Sequence, residues 1–327
     1  MVASYFLILR ISGVAGSSFQ EWEALNSVSY QHGPREAGLR QAIWEDNMKF
    51  IQEYNKNNPG VELKMNQFGD LTNEEFKAMK SNMPANMPGS SSKDVEEFTA
   101  PLGQQVPASK DWRAGGNVVG PIVSQGNCGS CYAFSAVSVV ESMLAIITGK
   151  YQPLSVQQVV DCSGQWGNYG CDGGTPENVF NYLGDTAGLE PAADYPSYSQ
   201  SQGTCQADYS KAVVHVDSFV NIKKYSEKDL KAAVGLVGPI SVGIDAGERS
   251  LQFYSSGIYS DPFCITSRID HAVVVVGYGS EKGQDYWIVR NSWGDKWGMG
   301  GYFRLARNKQ NMCGVASQAI YPKVSAI

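Results

Sequence analysis

The sequence has few histidines and an excess of negative charge, and both features narrow its function. Only His32, His215 and His271 occur in 327 residues, so a histidine-rich metal centre is not expected, nor is any other cofactor. The net charge of −6 argues against nucleic acid as the main partner, because nucleic-acid binding needs a basic surface. The sequence contains no run of about 18 apolar residues, so no membrane-spanning helix is predicted. No Asn-x-Ser/Thr sequence occurs, which leaves no site for glycan-dependent sorting.

Cysteine is absent from the first 127 residues, and all seven cysteines follow. The chain therefore has two chemically different parts. An odd number of cysteines in a secreted protein indicates disulfide pairs and one leftover thiol. Six paired cysteines allow about 15 connectivities, and any of the seven could be the free one.

Composition divides the chain near residues 100–107. Residues 18–80 are polar with a helical pattern, and Ser81–Asp94 is rich in Pro, Gly, Ser and Asn, as a linker is. Beyond Val106 the chain turns to apolar strands and glycines. The first 17 residues combine an apolar stretch with small residues, which is typical of a secretory signal peptide. We therefore predict three parts, at residues 1–17, 18–105 and 106–327.

Within the last part, a helical half precedes a strand-rich half. Tyr132 to Thr148 carries one charged residue and is followed by Gly149, which predicts a buried helix with a glycine cap. Segments 212–219, 239–244, 271–278 and 285–290 are short and rich in β-branched residues, which predicts strands. The expected fold class is α+β with two lobes, and the cleft between them is a natural place for a site.

Cys131 stands where the buried helix begins, after Gly129 and Ser130. A helix N-terminus stabilises a thiolate, and a thiol paired with an imidazolium can have a pKa of roughly 3–4. Two other interpretations compete. The Cys128-x-x-Cys131 pair could be half of a zinc knuckle, but no second such pair exists. It could be a redox pair, but five cysteines would then remain, again an odd number.

His271 is the histidine best placed to partner that thiol. It opens an apolar strand directly after the irregular stretch Ile265–Asp270, where a side chain can face a cleft. His32 lies in a polar segment and His215 lies inside a strand pattern. A lone histidine at a strand end, such as His271, more often has a structural role. The neighbouring segments reverse that preference for His271.

These segments resemble those of papain-like cysteine proteases, including the cathepsin L group. Residues 125–135 (QGNCGSCYAFS) resemble the family's nucleophile segment. Residues 270–279 (DHAVVVVGYG) and 286–302 (YWIVRNSWGDKWGMGGY) resemble its histidine and asparagine segments, and SVQQVVDCS and GCDGGTP fit between them. The resemblance covers essentially all of residues 106–327. It implies a helical lobe and a barrel-like strand lobe with the active site between them.

The resemblance also implies a role for each residue. Cys131 would be the nucleophile, His271 its acid/base partner, Asn291 the residue that orients His271, and Gln125 a donor to the oxyanion, with Trp293 shielding the His271–Asn291 bond. Implied disulfides are Cys128–Cys171, Cys162–Cys205 and Cys264–Cys313. The implied substrate-binding residues are Gly173, Gly174, Thr175, Pro176, Gly243, Ile269, Asp270, Ala272, Trp297 and Gln318. Gln318 would form the floor of the pocket for the substrate residue second from the scissile bond, with a preference for hydrophobic or aromatic side chains.

Residues 18–105 resemble the family's inhibitory prosegment and its linker. The prosegment's so-called ERFNIN pattern fits Glu36, Arg40, Trp44, Asn47, Ile51 and Asn55, which fall along one helical stripe. Asn66, Phe68 and Asp70 match a second prosegment motif, in which Lys64 replaces the usual glycine. The resemblance implies a self-inhibited zymogen.

The expected function is therefore cysteine endopeptidase activity on proteins and peptides. Implied partners are the chain's own prosegment and cystatin-type inhibitors, with a monomeric enzyme in lysosomes, in endosomes or outside the cell. Two alternative functions are disfavoured. A non-catalytic relative is disfavoured because Cys131 is retained. An exopeptidase or ligase is disfavoured because no long histidine-bearing insertion separates Cys131 from His271.

Overall fold

The computed structural model describes residues 18–30, 33–80 and 96–327. The expected signal peptide, His32 and the predicted linker Ser81–Asp94 lie outside these residues. We call residues 18–80 the N-terminal segment and residues 106–327 the C-terminal domain.

The helices divide between these two parts. The N-terminal segment contains α1 (Phe19–Asn26), α2 (Pro34–Asn57) and α3 (Asn73–Lys80). The C-terminal domain contains α4 (Cys131–Thr148), α5 (Val156–Cys162), α6 (Pro176–Asp185), α7 (Glu227–Leu236) and the short α8 (Arg249–Gln252). Single 3-10 turns occur at Ser163–Trp166, Gly170–Asp172, Tyr209–Lys211 and Met312–Gly314.

The strands form one ten-stranded sheet. They are β1 (Val61–Leu63), β2 (Glu96–Glu97), β3 (Lys110–Asp111), β4 (Val214–Asn221), β5 (Ile240–Ile244), β6 (Tyr254–Tyr259), β7 (His271–Glu281), β8 (Gln284–Arg290), β9 (Tyr302–Ala306) and β10 (Ala319–Ala326). Their order is β1-β6-β9-β8-β7-β5-β10-β4-β2, with β3 beside β7. The expected α+β architecture is confirmed, and its strand lobe is an open sheet whose path begins at β1 and ends at β2.

The helix α4 is the centre of the helical lobe. Its first 15 residues, from Cys131 to Ala145, are all buried. It ends at Gly149, which caps it in the left-handed region with φ 75°. This is the one described helix that is long and apolar enough to cross a membrane, by length and composition only, although the sequence predicted no membrane-spanning helix. Because 83% of it is buried inside the protein, its composition is explained as that of a core helix.

The N-terminal segment is attached to the C-terminal domain along the sheet edge. Strand β1 pairs antiparallel with β6, and the Lys64 N–H donates to the Phe253 carbonyl at 2.9 Å. Phe253 is fully buried in a hydrophobic cluster whose other buried members all belong to the N-terminal segment. The Lys64 side chain is exposed. Lysine therefore replaces glycine here without disturbing the close backbone packing.

The ERFNIN stripe holds the N-terminal segment together. Asn47 on α2 is buried and donates to the Gly69 and Leu71 carbonyls, at 2.8 and 3.0 Å. Asn55 makes a paired contact with the Leu63 backbone, as donor at 2.9 Å and acceptor at 2.8 Å. These amides tie α2 to the extended chain that leads to α3, so the stripe is a set of specific contacts and not only an apolar face.

Candidate active site

All seven cysteines lie in the part of the chain that the structure describes, and among them only Cys131 is free. Disulfides join Cys128–Cys171, Cys162–Cys205 and Cys264–Cys313, the same pairs that the resemblance implied. The Cys131 thiol lies at the first turn of α4, where the first backbone N–H groups have no acceptor within the helix. It packs against Ile269 and Ala272 at the start of β7. The helical lobe thus delivers the thiol to the edge of the strand lobe.

His271 and Asn291 meet beside that thiol. The Nε2 atom of His271 lies 2.8 Å from Oδ1 of Asn291, which also accepts the Ser292 N–H at 2.8 Å. Because Oδ1 is an acceptor, this bond places the imidazole proton on Nε2. The His271 ring stacks on Trp293, with ring centroids 4.8 Å apart. Trp293 is 1% exposed, so the bond between His271 and Asn291 is shielded from water.

Cys131 and His271 are both in their neutral forms. Burial raises the pKa of the Cys131 thiol to about 11. Burial lowers the pKa of His271 to about 4, and the hydrogen bond to Asn291 only partly offsets this. Among the described residues, Nδ1 of His271 has no hydrogen-bonding partner of normal geometry. The expected low thiol pKa therefore does not apply to this form, because the site is covered and the helix N-terminus cannot compensate for the lost water.

Gln125 is held by the backbone of Cys128 and by the hydroxyl of Ser292. Its amide donates to the Cys128 carbonyl at 2.9 Å and accepts the Ser292 hydroxyl at 2.7 Å, and the side chain is fully buried. An amide NH2 has two donors, and the bond to Cys128 uses one of them. These contacts fix the Gln125 side chain between the two lobes.

The N-terminal segment is the cover over this site. Phe68 and Phe76 are buried edge-on against Trp293, with centroid distances of 6.2 and 5.1 Å. The Gln67 amide donates to the Trp293 carbonyl at 2.9 Å. At the end of α3 the Lys80 ammonium donates to the Gly126 carbonyl. Cys131 and His271 are consequently fully buried.

The predicted pocket residues lie close to this centre. Gly243 pairs with Ala272 across β5 and β7, and its N–H donates to the Gln318 carbonyl at 2.9 Å. A Cβ added to Gly243 would lie 2.4 Å from Ile269 Cγ2 and 3.3 Å from Gln318 Oε1. The pocket side therefore has no room for a side chain at Gly243. Gln318 itself is exposed.

The other predicted substrate residues occupy three settings. Thr175 caps α6, in which Pro176 is the first residue, and Gly173 and Gly174 lead into that cap. The Asp270 carboxylate accepts the Ala246 N–H at 2.8 Å, and burial raises its pKa to about 6. Trp297 lies in the core behind Trp293 and donates to the Leu251 and Gln252 carbonyls, so it supports the site from behind.

Comparison with known proteins identifies this arrangement. Residues 106–323 match the model of the papain family cysteine protease, and residues 19–76 match that of the cathepsin propeptide inhibitor domain. The chain belongs to the papain family of cysteine proteases. It is a cathepsin L-like protease synthesised as a zymogen, and its N-terminal segment is the inhibitory propeptide.

Relatives of the whole precursor are similar over nearly their full length. Procathepsin L of Rattus norvegicus is 42% identical, with 94% of this chain and 92% of the relative aligned. Digestive cysteine proteinase 2 of Homarus americanus is 41% identical over 99% of both chains. The solved structure of digestive procathepsin L 3 of Tenebrio molitor larval midgut has a TM-score of 0.81 and 40% identity, and covers 93% of this chain and 97% of its own.

Sequence reasoning missed the residues that hold the propeptide in place. Arg249 on α8 donates to Asn47 Oδ1 and to Asp46, and it lies over the Phe50 ring at 4.5 Å. The Gln252 amide donates to the Phe68 and Leu71 carbonyls. The motif around Asn47 and Phe68 indicated an interface, but no feature of α8 indicated the surface that receives it. Lys80 was also missed, because a lysine in the last turn of a helix is usually solvated.

Proposed function

We propose that the chain is a cysteine endopeptidase in which Cys131 is the nucleophile, His271 the general base and acid, Asn291 the positioning residue and Gln125 an oxyanion donor. The observation that carries the proposal is the single unpaired thiol at the start of α4, beside a histidine oriented by an amide and shielded by Trp293. A nucleophile, a base and an orienting group in that order make up a covalent acyl-transfer site.

The reaction requires that the N-terminal segment leave first. With water readmitted, the proton of the Cys131 thiol moves to Nδ1 of His271, and the α4 N-terminus stabilises the thiolate. The thiolate attacks the peptide carbonyl, and the Cys131 N–H and the Gln125 amide bind the oxyanion. The C–N bond breaks as the imidazolium protonates the departing amine. Water, deprotonated by His271, then hydrolyses the thioester and restores the thiol.

The second substrate pocket supports a preference for hydrophobic or aromatic side chains. Ile269 and Ala272 are buried apolar neighbours of the thiol, and Gly243 keeps the wall flat. The Gln318 amide adds polarity without charge, so a basic side chain has no anionic partner there.

We propose that activation divides the chain near residues 100–107 and leaves residues 106–327 as the enzyme. Tyr278 donates to the Pro107 carbonyl at 2.9 Å, which attaches the new N-terminus to β7. Three disulfides favour folding in an oxidising compartment, consistent with secretion or delivery to lysosomes and endosomes. Cystatin-type inhibitors and a monomeric state belong to the same proposal.

The test combines mass spectrometry with thiol labelling. After acid treatment the chain should begin near Val106 and hydrolyse a denatured protein at internal bonds. One equivalent of an alkylating reagent should abolish activity, and peptide mapping should place the label on Cys131. Labelling at another cysteine with full loss of activity, or release of single terminal residues only, would contradict the proposal.

A further inference from the structure

Among the described residues of the N-terminal segment, Lys80 is the one charged side chain that is buried. It is 2% exposed and lies at the end of α3. Its ammonium donates to the Gly126 carbonyl and lies 5.2 Å from the centre of the Phe68 ring. No described carboxylate pairs with it, and burial alone lowers its pKa to about 8. Below that pH the N-terminal segment therefore holds an uncompensated cation in the cleft.

The imidazole of His271 stacks on Trp293, which meets Phe68 edge-on at 6.2 Å, and Phe68 is the ring beside the Lys80 ammonium. Burial lowers the pKa of His271, and the Lys80 ammonium lowers it further; the hydrogen bond to the Lys80 backbone acts in the opposite direction and is the smaller of the two Lys80 effects. Because Nε2 is bound to Asn291, Nδ1 is the atom that a second proton would occupy. Protonation would place two positive charges together in a site without water, where their repulsion is weakly screened.

We propose that Lys80 is an acid-release element: protonation of His271 sets an imidazolium against the buried Lys80 ammonium, and their repulsion expels the N-terminal segment. This inference rests on the proposed role of His271 and adds a regulatory function to that residue. It differs from the weakening of surface ion pairs, because the charge that triggers release belongs to the active site itself. One proton on His271 then controls both whether the precursor is latent and whether His271 can act as a base.

Other titratable groups face this pair and must be separated from it. Cys131 on α4 is neutral and contributes no charge in the acid range. Burial raises the pKa of Asp270, directly before His271, to about 6. The charge of Asp245 also raises it, whereas those of Arg268 and of Lys77 on α3 lower it. Its titration falls in the same pH range, so Asp270→Asn serves as the control for it.

The experiment uses the full-length Cys131→Ala precursor, which cannot process itself if Cys131 is the nucleophile. Hydrogen exchange of the α3 amides, corrected for intrinsic rates, gives the opening equilibrium from pH 7 to pH 4. The opening constant should rise as the pH falls from about 6.5 to about 4. Lys80→Met should reduce the opening constant at pH 4 by about tenfold more than at pH 7, because the repulsion is absent. Lys80→Arg should retain the original profile.

Two further variants make the test decisive. In a His271→Ala background, Lys80→Met should change opening by the same factor at every pH, since no imidazolium forms. The Lys80 effect should persist in Asp270→Asn. The proposal is overturned if Lys80→Met is pH-independent when His271 is present, if Lys80→Arg behaves like Lys80→Met, or if Asp270→Asn removes the effect. Lys80→Gln replaces Lys80→Met if the latter does not fold. Because exchange does not depend on hydrolysis, failure of the proposed catalytic roles would show separately, in the processed wild-type chain.

Discussion

The N-terminal segment and the C-terminal domain differ in what holds each of them in place. The C-terminal domain contains three disulfides and a sheet whose central strands are almost fully buried. The N-terminal segment contains no cysteine and is attached by aromatic contacts, amide hydrogen bonds and a few charged side chains. Charged contacts respond to pH, whereas disulfides and buried apolar strands do not. The N-terminal segment can therefore dissociate when the pH changes, while the C-terminal domain keeps its fold.

The largest expected effect is a loss of catalysis that leaves both parts of the chain folded and attached as before. Cys131→Ala should lower kcat/KM of the processed enzyme by several orders of magnitude, since no other residue can form the thioester. The melting temperature should change little, because the thiol has no disulfide partner. Retention of more than about 1% of the activity would contradict the assignment.

A smaller loss is expected from Asn291→Ala. The Cys131–His271 pair would remain, but the 2.8 Å bond that orients the imidazole would be lost. We expect kcat to fall at least tenfold less than in Cys131→Ala, with KM nearly unchanged, in steady-state assays of the processed enzyme. An equal loss in both variants, accompanied by altered circular dichroism, would indicate misfolding instead.

Arg249 tests the attachment of the part that leaves. Arg249→Ala removes a charge-assisted bond to the buried Asn47, which should weaken docking by about 1–3 kcal/mol. The unprocessed precursor should then hydrolyse a small peptide at pH 7 on the order of tenfold faster than wild type. Asp46→Asn is the matched control, because Asp46 is largely exposed and its pair with Arg249 contributes little. Equal leakage in both variants would assign the effect to charge and not to the Asn47 contact.

Glu75 tests how pH affects the fold of the N-terminal segment itself, on which the attachment depends, because Glu75 on α3 pairs with Arg40 on α2. Partial burial raises the pKa of the Glu75 carboxyl, but Arg40, which lies 2.8 Å away, and the Thr72 N–H together lower it by more, so the pKa is below its ordinary value. A depressed carboxyl pKa stabilises the docked form above the ordinary value of 4.5, and this stabilisation is lost as the pH falls below it. Glu75→Gln should therefore move acid processing to higher pH, by a few tenths of a unit, in gel assays of precursor cleavage. Glu74→Gln is the control, and an identical shift there would remove the specific role of Glu75.

The sequence predicted the centre of the site better than its cover. Strongly patterned segments fixed α4, β7 and β8, and the residue types at Cys131, His271 and Asn291 pointed to their chemistry. The contacts of Lys80 and Arg249 depend on how two distant parts of the chain meet. Neither residue has a local pattern that distinguishes it from an exposed cation. The thiol pKa was mispredicted for the same reason. The position of Cys131 at the start of α4 predicts a lowered pKa, whereas the docked N-terminal segment buries the thiol and raises its pKa.

Gln318 gives the smallest expected effect, and it concerns only the part that stays. Its Oε1 faces the position where a Gly243 side chain would lie, so an amide acceptor borders the pocket that Ile269 otherwise makes apolar. Burial of that amide against leucine leaves it poorly paired, whereas a tyrosine hydroxyl can bond to it. Gln318→Ala should raise the ratio of kcat/KM for Leu over Tyr substrates by roughly threefold to tenfold, for peptides varied only at the second position.

Gln318→Glu is the matched control for charge at the same place. It should increase the relative rate for arginine, since a carboxylate supplies the anionic partner that the amide lacks. If both variants leave the Leu-to-Tyr and Leu-to-Arg ratios unchanged, the Gln318 side chain turns into solvent, consistent with its exposure. Specificity would then depend on Ile269 and Gly243 alone, and the polar floor would have no effect on substrate choice.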